Sequence, residues 1–347
     1  MASFTKSSSN YIIKIGTSTN IGGGKTNQDR VSNFSFVSKG QKCEMIIVLD
    51  GHGSLYNNGE RWSNLTLEHA RHHFNEHCDS FIDNPINFFE RWCEKTNADI
   101  SPQISSGGTT LTVGIFMDET AFFCILGDSD VILFSNQNNL LLDLVTVTDT
   151  LTGTSGQLLP SSLDETCNCL SLAANHTPGN KIEHSIRLPG VEHYYQLQNF
   201  TNVIFSDVVP DKAYFKNVKD EYATVISKNS LTSLSMTRSL GNNGITHKKP
   251  TIMQVSLAGL TSEWGCFCLA TDGIHDNWVN INDPTLPGRP SLHEFVMHDT
   301  CISALSEEDG ATKCAESLIQ RNSVYAKRNF GDNSDNSSVA LVYIKKI

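Results

Sequence analysis

Asp50-Gly51-His52-Gly53 places a carboxylate, an imidazole and two glycines in four consecutive residues. The carboxylate can hold a hard cation, the glycines let a main-chain carbonyl approach it, and the imidazole can donate a proton near neutral pH. The apolar, β-branched run 45–49 before it reads as a buried strand, so Asp50 stands at a strand's end. Taken alone, Asp-Gly after a strand is also the sequence of a hairpin turn. The pattern recurs, however. Run 121–126 is closed by Gly127-Asp128-Ser129, run 266–270 is closed by Thr271-Asp272-Gly273, and Asp335-Asn336 stands before the alternating run 339–344. Ends of antiparallel strands can meet on one edge, and aspartates crowded there repel one another unless cations hold them. A multi-metal site is the natural account, and oxygen-only ligands point to Mg²⁺ or Mn²⁺.

Such carboxylates need sheets to bring them together. Residues 11–15 and 31–37 read as strands, the second pairing with 45–49 as a hairpin across Lys39-Gly40-Gln41-Lys42. Apolar spacing predicts a helix over 60–77 with Trp62, Leu65, Leu67, Ala70 and Phe74 on its apolar positions, and Asn84-Pro85 opens a second. His69, His73 and His77 share a stripe of the first helix without a His-Glu-x-x-His pattern, as a solvated or partly packed face. Strands resume at 109–116 and 121–134, a short helix is expected over 291–298, and Ser306-Glu307-Glu308-Asp309 resembles a capping box opening a long helix with Ala311, Cys314, Ala315, Leu318 and Ile319 buried. Gly22-Gly23-Gly24-Lys25-Thr26 lacks the first glycine and the following helix of a phosphate loop. Runs of strands interrupted by helix pairs define an α+β class with helices packed on antiparallel sheets. Residues 1–10 are expected as a flexible tail and 11–347 as one domain, with insertions near 135–175 and 199–229.

The balance of 26 Lys+Arg against 37 Asp+Glu, net charge −11, argues against a partner that is nucleic acid or an anionic membrane. No signal-peptide core or apolar run of transmembrane length is present, so an intracellular, cytoplasmic or nuclear monomer with reduced cysteines is expected. Cys167-Asn168-Cys169 and Cys266-Phe267-Cys268 lack zinc-finger spacing, and the second pair shares one face of a strand.

Seven motifs in one order resemble the metal-dependent Ser/Thr protein phosphatases of type 2C: Asn27-Gln28-Asp29, Asp50-Gly51-His52-Gly53, 106–110, Gly127-Asp128-Ser129, 237–241, 271–276 and Ser334-Asp335-Asn336. The resemblance implies a central antiparallel β-sandwich flanked by helix pairs, four layers α/β/β/α, with a two-metal centre at one end. It implies that Asp50 bridges both metals, that the Gly51 carbonyl binds one, that Asp272 and Asp335 bind the other, and that Asp128 and Asp276 match the positions of an additional, weaker metal. Hydrolysis of phosphoserine and phosphothreonine in a protein substrate would follow by direct attack of a metal-bridging hydroxide, with His52 as general acid and no phosphoenzyme.

Three positions depart from the family. Gly24 stands where an arginine usually clamps the substrate phosphate, leaving Lys25, Arg30 and Arg61 as candidate substrate-binding residues. Gln28 stands where glutamate is common, and Asn242 where an aspartate often follows Leu-Gly. Arg238 could contact phosphate or a partner, or form a structural ion pair. Two alternatives are carried with the phosphatase: a pseudophosphatase acting as a binding module, and a hydrolase of small phosphoesters.

Overall fold

The computed structural model describes residues 10–24, 26–53, 57–135, 239–243, 246, 248, 250–257, 264–278 and 292–347, with isolated strand segments between 146 and 234. Strands β1 (Tyr11–Asn20), β2 (Arg30–Ser38), β3 (Gln41–Leu49) and β4 (Gly51–His52) come first, followed by helices α1 (Asn58–Asp83) and α2 (Pro85–Ile100). Next come β5 (Gly108–Thr109), β6 (Leu111–Met117), β7 (Thr120–Leu126), β8 (Asp130–Ser135), β9 (Leu240–Gly241), β10 (Thr251–Ser256) and β11 (Gly265–Ala270). The chain ends with α3 (Asp272–Trp278), α4 (Leu292–Val296), α5 (Asp299–Ala304), α6 (Gly310–Phe330) and β12 (Ser337–Lys346).

Two antiparallel sheets face each other. One has the order β1-β12-β11-β8; the other contains β10-β7-β6-β3-β2 and is extended past β10 by Thr146–Asp149 and Thr154–Gln157. Strand periodicity sorts the side chains into three cores. Met45, Ile47 and Leu49 face Trp62, Phe74 and Phe81 of α1 and Phe89 and Trp92 of α2. Their alternates Ile46 and Val48 meet Leu133, Phe267, Ala340 and Val342 of the opposite sheet. Cys266, Cys268, Leu341 and Tyr343 turn outward onto Ile274, Cys314, Leu318 and Ile319 of the second helical layer. The result is the expected α/β/β/α stack. Among the described residues no helix is long and apolar enough to cross a membrane.

The β2–β3 hairpin pairs Arg30 with Leu49 and Ser38 with Gln41, and Asn84 caps α2 by accepting from Asn87 N at 3.0 Å. One expectation is corrected. Ser306 does not open α6; its hydroxyl donates back to Ser303 O at 2.9 Å, and the helix begins at Gly310 after an Asp309 that makes no side-chain cap bond. Within 199–229 lie Asn202–Phe205, Ala213–Lys216 and Ala223–Ser227, which form an antiparallel sheet with Ser230–Leu234.

The histidine stripe is partly packed. His73 lies 5.1 Å, centroid to centroid, from Phe88 and 4.7 Å from His77, while His69 accepts from Trp92 and meets Thr96 and Asp99. Burial first, then the neighbouring charges of His77, His69, Lys95 and His72, lowers the His73 pKa from 6.5 to about 4. The unfolded chain therefore takes up this proton first, and the stability contributed by neutral His73 is present above pH 6.5 and lost as pH falls toward 4. A His73→Phe variant should lose less melting temperature than wild type between pH 7 and pH 5; an identical pH dependence of the two melts would refute this.

Candidate metal and phosphate site

The strand-end aspartates are fastened by short polar links between motifs far apart in sequence. Asp50 N donates to Thr110 Oγ1 at 2.9 Å, Thr110 N donates to Asp50 O at 2.8 Å, and the Thr110 hydroxyl meets Ser129 Oγ at 2.7 Å. That chain joins Asp50 to the turn carrying Asp128. Thr271 Oγ1 donates to Asp29 Oδ2 at 3.0 Å and accepts from Ser338 N at 3.0 Å, joining the entry to β2 to the Asp272 turn and the start of β12. Asn336 Oδ1 accepts from Gln28 N at 2.7 Å, and its amide nitrogen donates to Ile21 O. The loop between β1 and β2 is thereby held against Asp335.

The electrostatics follow from this crowding. The Asp50 carboxyl is driven well above its ordinary pKa of 3.8 by burial, then by the charges of Asp272, Asp29, Asp335 and Asp128. Asp29, only 1% exposed, rises to about 7 by burial and the charge of Asp335, against hydrogen bonds from Thr271 and Ser338 that lower it. Asp335 is also raised, by burial first. Among the described residues no three His, Cys, Asp or Glu side chains are grouped closely enough to hold an ion as they stand. The donor chemistry nevertheless fits a hard divalent ion: these are all oxygen ligands, each would be relieved by positive charge, and buried Asp29 Oδ1 has no hydrogen-bond partner.

His52 sits on a small sheet of β4, β5 and β9, where Gly51 pairs with Thr109 and Leu240 with Thr109 on its other side. The Asn242 side-chain amide meets His52 Nε2, and Asn242 adopts φ +43°, a left-handed conformation that asparagine tolerates well. Burial, then the charge of Lys248, lowers the His52 pKa from 6.5 to about 4. Lys248 donates to Gly241 O and to Thr246 Oγ1, the latter at 2.8 Å, and burial brings its own pKa from 10.5 to about 7.

The structure thus places Asp272, Asp335, Asp128 and Asp29 within electrostatic reach of Asp50. Asp29 belongs to the Asn27-Gln28-Asp29 motif, to which no role attaches in the sequence; its signal is its position just before β2. Nothing in the sequence marked Lys248 as a buried neighbour of His52. Asp276 lies one turn along α3, with its side chain outside the described residues, as are Lys25 and Arg238. Arg30 is committed within the protein, donating to Asn27 O at 2.7 Å, Asp29 O at 2.6 Å and Glu60 Oε1 at 2.8 Å. These bonds brace the β2 entry and occupy the fork a phosphate would need. Arg61 is exposed and donates to Gln103 O at 3.3 Å. Gly24 lies in an exposed bend, and a Cβ there would find its nearest neighbour 3.6 Å away.

A family model described as Protein phosphatase 2C matches residues 15–176, a span that takes in Asp29, Asp50 and Asp128. Among solved structures, the S. agalactiae serine/threonine phosphatase is similar with a TM-score of 0.53 at 16% identity, over 95% of this chain and 99% of that one. The serine-threonine phosphatase 2C from Toxoplasma gondii gives 0.55 at 13% identity, over 96% of this chain and 95% of that one. No curated protein matches. The fold is that of the type 2C serine/threonine phosphatases. The family-model match spans less than half of the chain, and the likeness to both solved structures is one of fold.

Proposed function

We propose that this protein is a metal-dependent phosphatase that hydrolyses phosphoserine and phosphothreonine in protein substrates. The observation that carries the reading is the convergence of Asp272, Asp29, Asp335 and Asp128 on Asp50, an arrangement costly to a protein with no cation to hold. Asp50, the Gly51 carbonyl, Asp272 and Asp335 would hold Mg²⁺ or Mn²⁺, with Asp128 and Asp276 available to a further ion. When bound, the ions would neutralise phosphoryl charge and lower the pKa of water. Thr110 fixes the Asp50 main chain, Thr271 donates to the Asp29 carboxylate, and the Asn336 main-chain N donates to Asp335 Oδ1. His52, whose Nε2 meets the Asn242 amide, would serve as general acid only as the imidazolium, a charge that its burial and Lys248 oppose; from that form a proton could pass to the departing seryl or threonyl oxygen, a step worth about 10² to 10⁴-fold. The test is phosphopeptide hydrolysis with Mn²⁺ or Mg²⁺ against chelator. Activity should appear only with metal, and hydrolysis persisting in chelator would remove the reading.

One observation favours the pseudophosphatase. Gly24 provides no guanidinium, and Arg30 is already occupied. A bidentate arginine-phosphate contact is worth roughly 1.5 to 3 kcal/mol. The open surroundings of Gly24 leave room for a longer side chain. We expect Gly24→Arg to lower the KM for para-nitrophenyl phosphate by about tenfold. An unchanged KM alongside robust wild-type turnover would mean that another cation holds the phosphate, with Arg61, Lys25 and Lys248 the next to replace. Absence of turnover by both proteins with metal bound would establish the pseudophosphatase.

A further inference from the structure

The carbonyl oxygen of Gly273, one residue past Asp272, accepts three hydrogen bonds: from Asn277 Nδ2 at 2.8 Å, Asn322 Nδ2 at 3.0 Å and Ser337 Oγ at 3.0 Å. Asn322 is the hub. It lies fully buried on α6, its amide also donates to Ser337 Oγ at 2.9 Å, and its Oδ1 accepts from Trp278 Nε1 at 3.1 Å. Ser337 stands two residues beyond Asp335, so this amide ties the turn of one candidate ligand to the strand start of the other. The two backbones are in direct contact there, since a Cβ on Gly273 would lie 1.9 Å from Asn336 O.

A buried amide amid Leu318, Ile319 and Tyr325 carries a desolvation cost that an apolar side chain of similar size would avoid. Its hydrogen bonds converge on the segments that present Asp272 and Asp335, two carboxylates whose charges both act on Asp50. We propose that Asn322 is a positioning residue: from the outer helical layer it sets the separation of Asp272 and Asp335, and with it the affinity of the site for a divalent cation. The inference rests on the metal-dependent reading above. Residues behind metal ligands, when removed, typically cost 10- to 100-fold in metal affinity, because the ligands are then free to spread.

The test is equilibrium Mn²⁺ binding to the metal-free full chain, read from the electron paramagnetic resonance signal of free Mn²⁺. It compares wild type, Asn322→Ala, Ser337→Ala and Leu318→Ala. Leu318 is buried one turn earlier on α6 in the same core, so its truncation reports a general loss of packing. Asn322→Ala should weaken binding about 10- to 100-fold. Ser337→Ala should weaken it severalfold, and Leu318→Ala should lower the melting temperature with a Kd within about twofold of wild type. The proposal is overturned if folded Asn322→Ala binds like wild type, or if Leu318→Ala loses as much affinity as Asn322→Ala. Should Asn322→Ala fail to fold, wild-type affinity in Ser337→Ala overturns it. A wild type that binds no Mn²⁺ overturns both this inference and the metal-dependent reading, whereas a wild type that binds with indifferent variants overturns this inference alone.

Discussion

Asp50→Ala should reduce phosphopeptide hydrolysis by about three powers of ten while leaving the metal-free protein at least as stable as wild type. The first half follows from position. Asp50 is the carboxylate on which the charges of Asp272, Asp29, Asp335 and Asp128 converge, so it is the oxygen donor best placed to be shared between ions. Several kcal/mol of transition-state stabilisation by a metal corresponds to a loss of about 10³-fold. The second half follows from the sign of the electrostatics. Burial and the charges of Asp272, Asp29, Asp335 and Asp128 all disfavour ionised Asp50 in the cation-free fold, so removing it relieves repulsion. Thermal melts in chelator should therefore show an unchanged or higher melting temperature for the variant, and addition of millimolar Mn²⁺ should stabilise wild type much more than the variant. Retained activity would remove Asp50 from the site, and a melt well below wild type in chelator would show that the carboxylate has a structural partner.

Gly51→Ala is expected to cost about 3 kcal/mol or more of stability, whereas Gly24→Ala should be nearly neutral. At Gly51 a Cβ would stand 2.3 Å from Gly59 O and 2.6 Å from Gln28 O. Both obstacles are backbone atoms. Gln28 O also accepts from Ser63 Oγ at 2.6 Å, so neither wall of this gap can rotate away. The methyl group must push α1 or the β1–β2 loop outward, moving the Asp50 main chain with it. At Gly24 the nearest atom would be 3.6 Å away. Chemical denaturation of the two variants side by side measures the contrast, and equal midpoints would contradict the packing described for Gly51.

The fold was legible where local pattern and burial coincide. Run 45–49 alternates its contacts between the helices and the opposite sheet, yet every member is apolar because both faces are covered. Asn84-Pro85 carries the start of α2 in its chemistry, an acceptor for an otherwise unpaired N–H followed by a residue that has none. The start of α6 was misread because Ser306 has the residue type of a cap without the geometry, and the turn after α5 uses its hydroxyl instead. Strand 121–134 is broken at 127–129, where Ser129 reaches Thr110.

What the sequence determined by itself was the inventory of the site: carboxylates at strand ends, a histidine after Asp50, glycines beside them, and no arginine at position 24. These are local facts, since strand endings and residue types are written in a few consecutive positions. Which of them act together was decided only by the tertiary structure. Asp29 meets Thr271 across 242 positions of chain, His52 meets Asn242 across 190, and Gly273 meets Asn322 across 49. No local period encodes such distances. They arise because two sheets stacked face to face bring strand ends to one edge, where Arg30 turns inward to brace a strand and Asn322 reaches Gly273 from the helical layer behind.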